Sequence, residues 1–174
     1  MHDDSLDANQ SPGSGKQPQP ARGRGTRELS PTQRALGLLT RREHSRQELV
    51  RKLVSKGIDI DEVDAVVSKL AAAGWQDNVR FAESRVRVRV ADGYGPRYIR
   101  AELATHGLDD TTIAAALDTF DGDWAAMARD LVRRRYGPGV ADDLTLRRKA
   151  AELLLRRGFD ATCARAATRM ELDD

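Results

Sequence analysis

A chain of 174 residues that is 40% hydrophobic, 32% charged and only 5% aromatic has to build its core from thin layers of Leu, Val, Ile and Ala, which favours helices over a deep sandwich. One cysteine, Cys163, cannot form an internal disulfide, the three scattered histidines (His2, His44, His106) show no metal-ligand spacing, and no apolar run approaches the ~20 residues that span a bilayer. The net charge of +2 conceals a division: residues 1 to 28 are balanced and the last four residues carry three acids, so the positive excess belongs to residues 29 to 170 and biases them towards anionic partners.

Residues 1 to 28 are rich in Gln, Pro, Gly and Ser and nearly free of apolar side chains. They are predicted to form a disordered N-terminal tail, because they cannot bury enough surface to offset their conformational entropy. Order is expected to begin at "SPTQ", where Ser30 caps, Pro31 takes the first helical position and Gln33 completes a capping box. Ala35, Leu38 and Leu39 give the stripe of a first helix. Ser45 with Glu48 marks the start of a second, "ELVRKLVSKGI", which ends at Gly57. Asp59 with Glu62 starts a third, whose Val63, Val66, Val67 and Leu70 follow the i, i+3, i+4, i+7 rule. These three helices make a unit over residues 29 to 74.

A second unit, residues 75 to 121, repeats the plan. Its first helix must come from Asp77 to Val90, yet that stretch contains "RVRVRV", the alternation of a strand with one apolar and one basic face. Its place in the repeat decides for helix, with Val79, Ala82, Val86 and Val90 as the stripe. Gly95-Pro96 opens "YIRAELATHGL", which ends at Gly107, and Ile113, Ala116, Leu117 and Phe120 mark the last helix. Trp75 is expected to close the junction between the first two units and Tyr94 to pack the loop between helices.

The third unit, residues 122 to 170, begins at the cap Asp123 with Trp124, Met127, Ala128 and Leu131 as its stripe. The long connection "RYGPGVADD" leads to "KAAELLLRRGF", which ends at Gly158, and then to Cys163, Ala166, Ala167 and Met170 as a weaker third copy. Residues 171 to 174 form an acidic C-terminal end. Gly57, Gly107 and Gly158 are read as left-handed caps, with Ile58, Leu108 and Phe159 folding back on the helix. The fold class is therefore all-α: an elongated tandem array of three three-helix repeats, about nine helices, each unit leaning on its neighbour.

"SRQELVRKLVSKGI", "DNVRFAESRVRVRVADGYGPRYIRAELATHGL" and the three-fold repeat together resemble the RecX family, bacterial regulators of the RecA recombinase. The resemblance covers roughly residues 31 to 170 and is most specific from Phe81 to Gly107. The chain departs from it at "QDN", residues 76 to 78, where the family often has paired acids, and in a third unit lean in large apolar residues. The lone cysteine, the absence of a membrane span and the histidine spacing point to a cytoplasmic protein without metal or cofactor, expected to be a monomer; the resemblance implies a non-catalytic one. Its implied partner is the RecA filament on single-stranded DNA, bound along the helical groove so that strand exchange, ATP hydrolysis and repressor cleavage are inhibited.

The basic side chains assigned to such a contact are Arg85, Arg87 and Arg89, then Arg97 and Arg100, Arg133, Arg134 and Arg135, and Arg147, Arg148 and Lys149. Each could instead be a solvated side chain covering apolar surface with its stem; the cluster is taken as the binding surface. Arg85 and Arg89 are treated as exposed positions whose reversal to Glu would leave the fold intact. A helix-turn-helix protein that binds DNA without RecA is the alternative, recognisable by affinity that falls steeply with salt. An enzyme is disfavoured, since neither a phosphate loop nor a nucleophile with a base is visible in the sequence.

Overall fold

The computed structural model describes residues 28–169. The expectations for the N-terminal tail up to residue 27, for Met170 and for the acidic end lie outside them. Among the described residues there are nine helices and no strand: α1 (Pro31–Leu39), α2 (Arg46–Val54), α3 (Ile60–Ala72), α4 (Asn78–Ala91), α5 (Pro96–Thr105), α6 (Asp110–Asp118), α7 (Trp124–Tyr136), α8 (Leu144–Arg156) and α9 (Ala161–Arg169).

Most starts are written locally. Ser30 and Gln33 form both halves of a capping box on α1, with Pro31 at its first position. The side chains of Asp59, Asp77, Asp109, Asp123 and Asp143 each accept from a backbone N–H of the first turn of α3, α4, α6, α7 and α8.

The helices gather by threes around separate cores. α1 to α3 enclose Ala35, Leu49, Leu53, Val63, Val67 and Leu70. α4 to α6 enclose a larger core that includes Phe81, Val86, Ile99, Leu103 and Ile113. α7 to α9 close on Val132, Leu154 and Phe159 with the alanines 128, 150, 164 and 167. Each fully buried Leu, Ile, Val or Phe contributes roughly 1.5–3 kcal/mol, so a unit with five or six of them is marginal alone and gains from its neighbour.

The RVRVRV stretch is helical, and its alternation is split by the helix. Val86 is 1% exposed and Val88 46%, because two residues along a helix turn by about 200° and land on opposite faces. The inner face of α4 is Phe81, Ala82 and Val86; Val79, placed on that stripe by the sequence reading, is 49% exposed instead. In α9 the buried set is Ala164, Ala167 and Thr168, and Ala166 faces out. The Thr168 hydroxyl becomes tolerable there by donating to the Ala164 carbonyl at 2.9 Å.

The units join at a recurring place: the glycine turn after the second helix of one unit meets the N-terminus of the second helix of the unit before it. Between the second and third units the meeting is backbone on backbone. Gly95 N–H donates to the Arg157 carbonyl at 2.7 Å and Arg97 N–H to the Gly158 carbonyl at 3.0 Å. α5 has no side-chain cap; the Arg157 and Gly158 carbonyls at the C-terminal end of α8 serve instead. A Cβ on Gly158 would lie 2.3 Å from the Tyr98 nitrogen, and one on Gly95 2.7 Å from the Gly158 carbonyl. Gly95 therefore matters less as a turn residue than as a bare surface, its φ of −86° being open to any residue.

Between the first and second units the same approach is made by side chains. The Gln47 side chain lies 3.3 Å from where a Gly107 Cβ would be, and Ser45 Oγ is 3.4 Å from His106 Nδ1. The Arg46 N–H donates to Asn78 Oδ1 at 2.9 Å, and Gln76 Nε2 donates to that same oxygen at 2.9 Å and to the His44 carbonyl at 3.3 Å. Trp75 does not close this junction: it is 56% exposed, while Gln76 beside it is 5% exposed. The Gln76 amide donates to two acceptors at the joint where an indole, with its single N–H, could serve only one, so the polar residue goes in.

Candidate partner-binding surface

The basic residues of α4 separate into two kinds. Arg85 and Arg89 follow the buried Phe81 by one and two turns on the same i, i+4 row, so the packing that buries Phe81 carries them over α5. There they meet Glu102. Arg89 donates from Nε at 2.7 Å and from a terminal nitrogen at 2.9 Å to the two carboxylate oxygens, and Arg85 donates to one of them. The side chains of the triad are 24%, 22% and 15% exposed for Arg85, Arg89 and Glu102.

The hydrogen bonds from Arg89, then those from Arg85 with both positive charges, hold the Glu102 carboxyl down at about 2 against the cost of burial. The Arg89 guanidinium is correspondingly held more firmly protonated, above all by its bonds to Glu102. It also lies 5.4 Å from the Tyr94 ring centroid and 3.3 Å from Asp92. Arg85 and Arg89 are thus not the freely exposed positions expected of them, and reversing their charge would leave the fold damaged.

Arg87, one step round the same helix, is exposed, and it makes no ion pair among the described residues. The same holds for Arg97 at the start of α5, Arg135 at the end of α7, and Arg148 and Lys149 in α8, all exposed. Arg100 reaches Asp110 at 3.4 Å, and Arg133 and Arg134 share Asp130 at 3.1 and 3.0 Å. Exposed pairs of this kind are worth little. Arg147 is half-buried and donates to the Ala141 carbonyl at 3.2 Å, pinning the connection between α7 and α8.

The remaining residues singled out by the sequence lie at turns. Gly57, Gly107 and Gly158 have φ of 82°, 74° and 85° and follow α2, α5 and α8, while Gly95 and Pro96 open α5. Tyr94 stacks on Tyr98 with ring centroids 4.2 Å apart, and the Arg157 guanidinium lies 4.5 Å from its ring. Arg157 also donates to the Asp92 carbonyl at 2.7 Å. The "GYGP" loop is therefore occupied by the third unit. No group of His, Cys, Asp or Glu among the described residues is arranged to hold a metal ion.

A second network sits at the joint between the first two units. Glu48 is held by Arg42, and His44 Nδ1 lies 3.1 Å from its other oxygen. Burial would raise the Glu48 carboxyl, but the Arg42 hydrogen bond and the His44 and Arg42 charges outweigh it and the group is lowered. Burial lowers both His44 and His106, the latter against the Phe81 ring at 4.8 Å. Glu48 was legible as half of a capping signal; Ser45 Oγ accepts from its N–H, but its carboxylate serves the joint.

These features define a helical repeat protein that carries exposed cations without ion pairs among the described residues. Two family models match the chain: RecX, first three-helix domain, over residues 32–70, and RecX, second three-helix domain, over residues 77–117. Among curated relatives, "Regulatory protein RecX" of Stenotrophomonas maltophilia (strain K279a) is 60% identical over 153 residues, covering 88% of this chain and 94% of that protein. "Regulatory protein RecX" of Xanthomonas axonopodis pv. citri (strain 306) is 57% identical over 159 residues, covering 91% and 98%. The crystal structure of RecX from Lactobacillus salivarius superposes with a TM-score of 0.65 at 25% identity, covering 79% of this chain and 91% of that one. The chain belongs to the RecX family of regulatory proteins.

Proposed function

We propose that this chain is a non-catalytic negative modulator of RecA that binds the RecA–single-stranded DNA filament along its groove and inhibits strand exchange, ATP hydrolysis and co-protease activity. The observation that carries the reading is the run of exposed, unpaired cations over consecutive units: Arg87 and Arg97 in the second, Arg135, Arg148 and Lys149 in the third. A surface spread over two repeats suits a periodic, anionic partner better than a small ligand. Arg100, Arg133 and Arg134 join this surface by exchanging their exposed carboxylates for the partner's, while Arg85, Arg89 and Arg147 support it from within. The units act as the three segments 29–74, 75–121 and 122–170.

Titrating the protein into RecA hydrolysing ATP on single-stranded DNA tests this directly. Inhibition is expected, and reversal of Arg87 and Arg97 to Glu should raise the concentration needed by at least ~10-fold, since close charge pairs across an interface are worth more than one factor of ten. Absence of inhibition by the unaltered protein, with salt-sensitive DNA binding in the absence of RecA, would instead establish the helix-turn-helix alternative.

A further inference from the structure

The first unit carries a surface that the filament reading does not use. Between α1 and the C-terminal half of α2 runs a groove of about 530 Å³. Its floor is aliphatic: Leu53, 1% exposed, with the half-buried Leu38, and Leu29, 56% exposed, at the mouth. Its rim is mainly basic, with Gln33 and Ser55 between the cations. Arg34, Arg41, Lys52 and Lys56 line it, and none of the lining residues is acidic.

These cations are largely uncommitted. Arg41 and Lys56 are exposed and make no ion pair among the described residues. Arg34 donates from Nε to the Leu29 carbonyl at 3.0 Å, which fixes its guanidinium at the mouth. Lys52 is 3.8 Å from Glu48, but that carboxylate already receives two nitrogens of Arg42. Gly37 forms part of the wall, and nothing lies within 4 Å of the place where its Cβ would be. The groove is therefore open where a side chain would otherwise fill it.

We infer that the α1–α2 groove is a docking site for an acidic amphipathic segment of a partner protein, which places one or two aliphatic side chains on Leu29 and Leu38, above the buried Leu53, and its carboxylates on the four cations. The inference is independent of the filament reading, whose residues lie in the other two units. Charge complementarity selects the anion, and the floor selects its kind. Phosphates of a nucleic acid would satisfy the cations but leave Leu29 and Leu38 in water, and no aromatic residue lines the groove for a base to stack on. A carboxylate-bearing helix or turn with an apolar face satisfies both.

The test uses the full chain and a fluorescein-labelled peptide of Asp and Glu around a central Leu-Leu pair, followed by anisotropy. Saturable binding is expected, weakened at least tenfold in the double variant Arg41→Glu, Lys56→Glu and unchanged in Lys69→Glu, Arg165→Glu, whose side chains are exposed outside the groove. Gly37→Leu provides a charge-neutral check: it fills the groove, improves helix propensity and should also weaken binding at least tenfold with no loss of melting temperature. Equal binding by these groove variants overturns the proposal, as does equal binding of a peptide with Ser in place of both leucines. Competition by oligo(dT) at the affinity of the acidic peptide would make the partner a nucleic acid. Tenfold tighter peptide binding by Asp3→Asn, Asp4→Asn, Asp7→Asn would make the occupant the chain's own N-terminal segment. A dimer in sedimentation that Arg41→Glu, Lys56→Glu dissolves would make it a second copy. Each of these last three results overturns the partner-protein assignment.

Discussion

At the joint between the second and third units backbone closes on backbone beside the Arg157–Tyr94 contact: the N–H groups of Gly95, the N-cap of α5, and of Arg97 donate to the Arg157 and Gly158 carbonyls just past α8. At the joint between the first and second, the equivalent elements are held apart by Gln47, Ser45 and His106, with Gln76 and Asn78 bridging from α4. One plan thus yields a stiff joint and a compliant one. A backbone contact has no rotamers with which to yield, whereas a side-chain contact can repack and is open to titration. The array should bend, where it bends, between its first and second units.

Gly158→Ala attacks the stiff joint and should have the largest effect. The methyl group would collide with Tyr98 backbone in a left-handed conformation that already disfavours a side chain, so about 3 kcal/mol should be lost. In a thermal melt that is a fall on the order of 6–12 °C.

Next in size is Glu102→Gln, inside the unit that both joints share. It leaves Arg85 and Arg89 half-buried without their carboxylate and should cost about 2 kcal/mol in urea unfolding. Because Glu102 is held down at about 2, below the ordinary carboxylate value, its contribution is full above pH ~4.5 and fades as pH falls towards 2. The Gln variant should lose that part of the acid transition while both joints stay formed.

The same methyl group at the compliant joint, Gly107→Ala, should cost only about 1 kcal/mol, the strain of the left-handed backbone, since the Gln47 side chain can move aside. Equal losses at Gly107 and Gly158 in parallel melts would break the contrast between the joints.

The smallest effect is local. Burial lowers His44 and His106, so the unfolded chain takes up protons before the folded one as pH falls through ~6.5, and the first joint weakens with acid. Arg42 and Lys52 around His44, and Arg85 and Arg51 around His106, oppose protonation, while Glu48, facing both, and Glu102, facing His106, favour it. Hydrogen exchange between pH 7.5 and 5.5, corrected for intrinsic rates, should show the Arg46 amide losing protection while those of Gly95 and Arg97 keep theirs.

What the sequence made legible follows the range of the interaction. Spacing and caps located the helices, and position within the repeat overrode the alternation of RVRVRV, because these signals act within four residues or recur every fifty or so. The partner of Arg85 and Arg89 was not legible. Glu102 stands on another helix, and only the packing of Phe81 reveals which side of α4 faces it. Trp75 misled because size and hydrophobicity argue for burial, whereas the joint needed an amide to serve both the His44 carbonyl and Asn78. The role of Gly95 as a contact surface was hidden for the same reason: its counterpart, Gly158, lies in the next unit.

The capping of α5 by α8 has a consequence for the order in which the chain takes shape during synthesis. The carbonyls that close the first turn of α5 belong to residues added about 60 positions later, which at ~5–20 residues per second is a delay of roughly 3–12 s. Through that interval the middle unit holds its core but an unfinished helix start, with two free N–H groups and bare glycine backbone facing water. The third unit, once it has left the ribosome, supplies the seal for the second.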